Sequence, residues 1–272
     1  MSQSAPFISF PERYLGERPV KFPLLANTDG YFAINKPAGL ACFRHDWTLG
    51  KPDVSMALRR ELLNEKPQLK QLGIEGLFRV YQLDAELSGV LLYAKNETWE
   101  EALKNAFGSR QLVFRYHFLA TTETESRERF CDLPLAHHNN ESRMLVSHRT
   151  GKKCETRFRY LRSFGRYQLW EAESRDLRMH QIRLHAAESD LAIVGEATYA
   201  KGERIFLSML KKDYRRRPGR RAERPIYDQL CAHLVSLEFD LPDESLPAIA
   251  APVPKGFDGL LKNLDRLKGP RG

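Results

Sequence analysis

The chain has 272 residues, of which 42% are hydrophobic, enough to bury one large core or two small ones. Lys and Arg outnumber Asp and Glu by 43 to 35, a formal charge of +8 that favours polyanionic partners, chiefly nucleic acid. No run approaches the ~20 consecutive apolar residues of a membrane-spanning helix. No secretory pattern opens the chain, and Cys42, Cys131, Cys154 and Cys231 form no close pair for zinc, so the expectation is a cytoplasmic protein with free thiols.

Residues 1–26 contain Pro6, Pro11, Pro19 and Pro23 without a sustained period and read as an irregular arm. A strand starts at Tyr31 and stops at the turn Asn35-Lys36-Pro37-Ala38-Gly39. Val54, Ala57, Leu58 and Leu62 predict a helix over 54–64. Residues 89–95 read as a buried strand. Asn96 then caps a helix through Phe107, closed by Gly108. Over 112–120, Leu112, Phe114, Tyr116, Phe118 and Ala120 alternate with Arg115 and His117, the period of a half-buried strand. Similar alternation predicts strands near 155–161 and 167–173, then a helix over 178–188 and a strand over 230–239. From Leu241 the proline and small residues predict a tail running over the surface. The order suits an α+β fold with a mixed, mostly antiparallel central sheet and flanking helices. The domain reading is an arm over 1–26, one domain over 27–240 and a tail over 241–272.

Lys211, Lys212, Arg215, Arg216, Arg217, Arg220, Arg221 and Arg224 crowd a basic loop within 208–225. Such a loop suits RNA phosphates, with Arg215, Arg216 and Arg217 at its centre. The dinucleotide fingerprint is missing, Gly151-Lys152 leads to Lys153 rather than a phosphate-loop Ser or Thr, and no G-x-S-x-G elbow occurs. His180 and His185 stand five apart, not the four that aligns two ligands on a helix. Neither a metal nor a nucleotide cofactor is expected.

Five segments carry the chemistry. They are Ile34 to Gly39; Tyr81-Gln82-Leu83-Asp84-Ala85-Glu86-Leu87-Ser88-Gly89; the strand bearing Tyr116; Arg178-Met179-His180-Gln181-Ile182-Arg183-Leu184-His185 with Gly195 to Tyr199; and His233 with Leu237-Glu238-Phe239. In this order and spacing, over residues 27–239, they resemble the RluA-type RNA pseudouridine synthase family. That resemblance implies the pseudouridine synthase catalytic fold acting on ribosomal or transfer RNA; a monomer is expected. Only 33 residues precede the first segment, too short a stretch for the small RNA-binding domain that some relatives carry there.

The resemblance implies that Asp84 is the catalytic aspartate, Tyr116 the tyrosine facing the base, and Arg183 the guanidinium that keeps the aspartate ionised. Lys36, Gln82, Ser88, Arg178, His180 and Gln181 are then expected around the RNA. Because the isomerisation breaks the uracil N1 bond to ribose and remakes it at C5 with no net redox change, it needs no cofactor. The family writes His-Arg-Leu-Asp-x-x-Thr-Ser-Gly around its aspartate. This chain has Tyr81 and Gln82 for the first two and Leu87 for the threonine, and Phe114 stands two residues before Tyr116 where the family has lysine. These departures support a second reading, an RNA-binding protein that keeps the fold without turnover.

Overall fold

The computed structural model describes residues 6–122, 124–211, 214, 222–241 and 246–266. Among them, nine strands of four residues or more form one sheet: β1 (Phe7–Phe10), β2 (Val20–Asn27), β3 (Tyr31–Lys36), β4 (Ser88–Ala94), β5 (Leu112–Thr121), β6 (Glu128–Cys131), β7 (Thr156–Phe164), β8 (Tyr167–Ser174) and β9 (Ala232–Phe239). Their spatial order is β1-β2-β3-β4-β9-β5-β8-β7-β6. Neighbours run antiparallel except β4 and β9, which are parallel. Helices α1 (Val54–Leu63), α2 (Glu97–Gly108), α3 (Gln181–Glu188) and α4 (Lys255–Arg266) flank the sheet. This is the mixed, mostly antiparallel α+β architecture expected from the sequence.

The alternation in β5 sorts its side chains as predicted. Phe114, Tyr116 and Phe118 are buried, while Arg115 and His117 meet Glu171 and Glu173 of β8 on the opposite face. β4 is buried at all seven positions. Its close parallel approach to β9 depends on Gly89, whose φ is +131° and where a Cβ would lie 2.3 Å from the Leu234 carbonyl oxygen. Asn96 caps α2 by accepting the Trp99 N–H at 2.9 Å. The reversal after α2 falls on Arg110 at φ +60° rather than on Gly108, which is the last helical residue.

Three boundaries differ from the sequence reading. The expected arm contains β1 and β2, which extend the sheet through β3 and bury Ile8, Phe10, Phe22 and Leu24. Pro6 precedes β1 and Pro11 and Pro19 lie between the strands, so the prolines mark ends more than they break structure. The expected surface tail contains Ile249–Ala250, paired with β9, and α4, which buries Phe257, Leu260 and Leu264 against Leu119, Phe164 and Tyr167. The helix expected from 178 starts at Gln181, because His180 takes a left-handed conformation at φ +55°. Arg215, Arg216 and Arg217 lie outside the described residues.

Candidate active site

Asp84 lies on the loop entering β4 and is 7% exposed. Its backbone is tied down from several sides. Leu87 N–H donates to the Asp84 carbonyl at 3.1 Å and Gly39 N–H to the Ala85 carbonyl at 2.7 Å. The Cys42 thiol reaches the Leu83 carbonyl at 3.0 Å. Lys36, at the end of β3, is fully buried, and its ammonium donates to the carbonyls of Leu87 (2.6 Å), Leu40 (2.9 Å) and Pro37 (3.1 Å), with Ala85 at 3.5 Å. Burial lowers the Lys36 pKa, with Cys42, Asp84 and Glu86 acting against it. Of the support and phosphate roles open to Lys36, this placement is that of a support for the aspartate loop.

The carboxylate is held by one backbone donor. His180 N–H reaches Asp84 Oδ1 at 3.1 Å, and the left-handed turn before α3 is what aims it there. The His180 ring packs between Trp47 and Tyr199, and its Nδ1 lies 2.6 Å from Tyr199 Oη. That hydroxyl already accepts the Met144 N–H, so its proton is free for Nδ1. Burial lowers the His180 pKa, which agrees with a neutral ring whose hydrogen sits on Nε2.

Tyr116 is fully buried on β5, and its hydroxyl has no hydrogen-bond partner among the described residues. Burial raises its pKa well above the ordinary value, and the Asp84 charge adds to this. An orphaned buried hydroxyl within the field of the candidate carboxylate is an unusual feature, since buried polar groups are nearly always paired.

Arg183, on α3, sits at the hub of a charge relay. Its Nε and Nη2 form a two-pronged pair with Glu196 at 2.7 and 3.0 Å, and Nη1 reaches Glu86 at 3.1 Å. Glu86 also pairs with Lys51. The expected direct Asp84–Arg183 pair is not made among the described residues. Asp84 acts on the guanidinium only through its field, helping Glu196 to raise the Arg183 pKa against the effect of burial. Burial works against the Glu86 charge, but Lys51 and Arg183 outweigh it and hold that carboxyl at about 2.

Other expected contacts are also redistributed. Ser88 is 1% exposed, and its hydroxyl meets His233 Nδ1 at 2.8 Å. Gln181, also 1% exposed, binds the Glu155 carbonyl, Thr156 and Ser174. Both side chains are committed to interior hydrogen bonds. Arg178 is exposed two residues before His180, where a polyanion can meet it. Gln82 stands at the mouth, its amide nitrogen 3.0 Å from His45 Nε2. A cavity of about 40 Å³ above Asp84 is walled by His45, Trp47, Gln82, Met179 and His180. That is room for about one water, whose share of liquid volume is ~30 Å³. His45, Trp47 and Lys51 escaped the sequence reading because the 41–53 loop has no period. Glu86 and Glu196 lay inside quoted motifs, and only their reach to Arg183 reveals what they do.

The sequence profile of RNA pseudouridylate synthases matches residues 30–188, which span β3, the Asp84 loop, Tyr116 and α3. The chain belongs to the RNA pseudouridylate synthase family. Members of this family are isomerases that modify RNA. Among curated relatives, the ribosomal large subunit pseudouridine synthase D of Xylella fastidiosa is 29% identical over 252 residues, covering 90% of this chain and 70% of that protein. The namesake from Yersinia pestis is 26% identical over 166 residues, covering 61% of this chain and 49% of that protein. The uncharacterised RNA pseudouridine synthase YlyB of Bacillus subtilis is 26% identical over 136 residues, covering 49% of this chain and 45% of that protein. The chain thus spans about half the length of the last two. Of solved structures, human RNA pseudouridylate synthase domain containing 4 matches with a TM-score of 0.66 at 20% identity, covering 89% of this chain and 92% of that one. Human RNA pseudouridylate synthase domain containing 1 matches with a TM-score of 0.59 at 17% identity, covering 90% of this chain and 94% of that one. At these identities the likeness is one of fold.

Two departures from the family pattern touch each other in this member. Tyr81 and Phe114 meet edge to face with ring centroids 5.0 Å apart, and Phe107 packs on Phe114 as well. The Tyr81 hydroxyl donates to the Val90 carbonyl at 2.8 Å. Where the family's histidine and lysine would stand, this chain has a matched aromatic contact inside the core.

Proposed function

We propose that this chain converts uridine to pseudouridine in structured RNA, with Asp84 as the carboxylate acting at the ribose and base. The observation that carries the reading is the pairing of Asp84, held by the His180 N–H at the floor of a small cavity, with the unpartnered hydroxyl of Tyr116. The carboxylate serves as nucleophile or proton acceptor at the sugar while the N1 bond breaks. Tyr116 Oη is free to meet the base as it turns and rejoins through C5. Arg183 adds a positive charge near the aspartate, in a guanidinium fixed by Glu196 and Glu86.

Ribosomal RNA is the favoured substrate, since two of the relatives carry large-subunit ribosomal names over much of this chain. A monomer working in the cytoplasm without metal or nucleotide completes the reading. Active turnover is favoured over a silent RNA-binding role because Tyr81 and Phe114 compensate each other within the core and leave the Asp84 loop intact. Asp84→Asn, which keeps the shape and the His180 contact but removes the charge, should abolish pseudouridine formation while RNA affinity changes by no more than a few-fold. Sequencing-based pseudouridine mapping of ribosomal RNA treated with wild type and variant is the test. Undiminished conversion by the variant would reject Asp84.

A further inference from the structure

We propose that a hollow beside the active-site mouth is a phosphate groove for the RNA strand flanking the target uridine, an inference that rests on the pseudouridine synthase reading. The hollow measures about 550 Å³ and lies between the β1–β2 turn, the loop before α1, and α1 itself. Four cations line it, Arg13, Arg44, Lys51 and Arg60, against two acids, Glu17 and Asp53. Asp53 is engaged in capping α1, accepting the Met56 N–H at 2.9 Å. The excess is therefore positive and points into open solvent.

Three observations favour a polyanion that continues from the active site. First, Lys51 lines both this hollow and the Asp84 cavity, so the two are joined at one residue. Second, Arg13, Arg44 and Arg60 form no ion pair with any carboxylate among the described residues. A hollow of about 440 Å³ on β5 to β8 also holds arginines, but there Arg115 and Arg159 are matched by Glu171, Glu173 and Glu238, while Arg129 bonds to Thr124 and Arg157 lies over the Phe130 ring. Exposed guanidiniums without partners are suited to bidentate phosphate contacts. Third, Arg13 stands in a left-handed conformation at φ +68°, within a turn closed by its own N–H to the Gly16 carbonyl. Glycine or asparagine would adopt that conformation with less strain, so the arginine side chain has a use there. The β1–β2 turn lies before residue 30, where the family match begins. Arg60 covers the Tyr14 ring at 4.4 Å, which gives the groove a fixed floor.

The test uses fluorescein-labelled oligouridylates of two lengths, a 15-mer and a trinucleotide, with wild type and the Arg13→Asn/Arg44→Gln variant. Asparagine suits the backbone at 13, and neither side chain makes a hydrogen bond or ion pair among the described residues. Each single-strand phosphate contact contributes about 0.7 to the slope of log affinity against log salt, so the 15-mer slope should become shallower by about 1.4 in the variant. On the trinucleotide the two proteins should bind alike. Equal slopes on the 15-mer, or the same loss on both lengths, overturns the groove. Should the double variant melt below wild type, Arg44→Gln alone answers the question with an expected change of about 0.7. The assay reads binding and not conversion. Equal slopes in a chain that makes pseudouridine reject only the groove, whereas a shallower slope in a chain that makes none rejects the enzyme reading and leaves the groove standing.

Discussion

Replacing Glu196 with glutamine tests whether the charge relay holds the site together. The Glu196 side chain is fully buried and that of Arg183 is 5% exposed. Glu196 Oε1 accepts three donors, Arg183 Nη2 and the N–H groups of Thr198 and Tyr199, while Oε2 accepts Arg183 Nε. In Glu196→Gln the amide oxygen must stay with the three donors, which turns the NH2 group toward the Arg183 Nε–H, donor against donor. Leaving a buried charge without its partner typically costs about 3–5 kcal/mol. Glu86 still offsets part of the Arg183 charge, so the lower half of that range applies. At about 2–4 °C per kcal/mol, the melting temperature at pH 7 should fall by roughly 6–16 °C. Scanning calorimetry on wild type, Glu196→Gln, Arg183→Met and the double variant makes the measurement. If the buried pair is responsible, the double variant is less destabilised than the sum of the singles. A Glu196→Gln midpoint within two degrees of wild type, or additive losses, would falsify this account of the site.

Other outcomes follow from the same geometry. The Glu86 carboxyl is held at about 2 against an ordinary 4.5, so its contribution to stability is complete above pH 4.5 and is lost as pH falls toward 2; Glu86→Gln should flatten the urea midpoint across that window. Lys36→Met leaves the carbonyls of Leu87, Leu40 and Pro37 without their donor and should lower stability by roughly 1–3 kcal/mol. It should reduce kcat more than it raises KM, because the Asp84 loop loosens, and an unchanged kcat in a folded variant would remove Lys36 from the support of that loop. Gln82→Arg restores the family's charge at the mouth and should raise single-turnover rates more on a stem uridine than on a loop uridine with the same flanks, since only the stem target must be unstacked. Equal effects on both RNAs would separate Gln82 from base flipping.

Much of the fold could be read from period alone where one face of an element is buried. β5 and α2 are examples, the first from alternation and the second from the Asn96 cap. Prolines obscured β1 and β2, although Ile8 and Phe10, and Phe22 and Leu24, already alternate with exposed or half-exposed neighbours. In the tail the spacing of Phe257, Leu260 and Leu264 is helical, and the surrounding proline and small residues hid it. For the site, sequence brought Asp84, Tyr116 and Arg183 into one neighbourhood by family likeness. It could not show that the guanidinium is committed to Glu196 and Glu86, because such pairing depends on a turn that sets α3 against the 195–199 loop. Nor could it distinguish Lys36 as a buried prop from a phosphate ligand: a lysine after a strand looks the same in either setting.

The parallel contact between β4 and β9 has a bearing on when the enzyme becomes competent during its synthesis. Ser88, four residues beyond Asp84, bonds to His233 across 145 residues of chain, and β9 fills the place between β4 and β5. Closing so long a loop is slow compared with local structure formation. As the chain leaves the ribosome, β3 and β4 can pair early, but the strand that braces the aspartate loop from the other side emerges last among the long strands. The nascent protein therefore holds an unpaired edge on β4 through most of its elongation, a period in which it depends on protection from aggregation. It follows that a chain stalled before β9 can already carry Asp84, Tyr116 and Arg183 yet lacks the strand that holds them in one sheet.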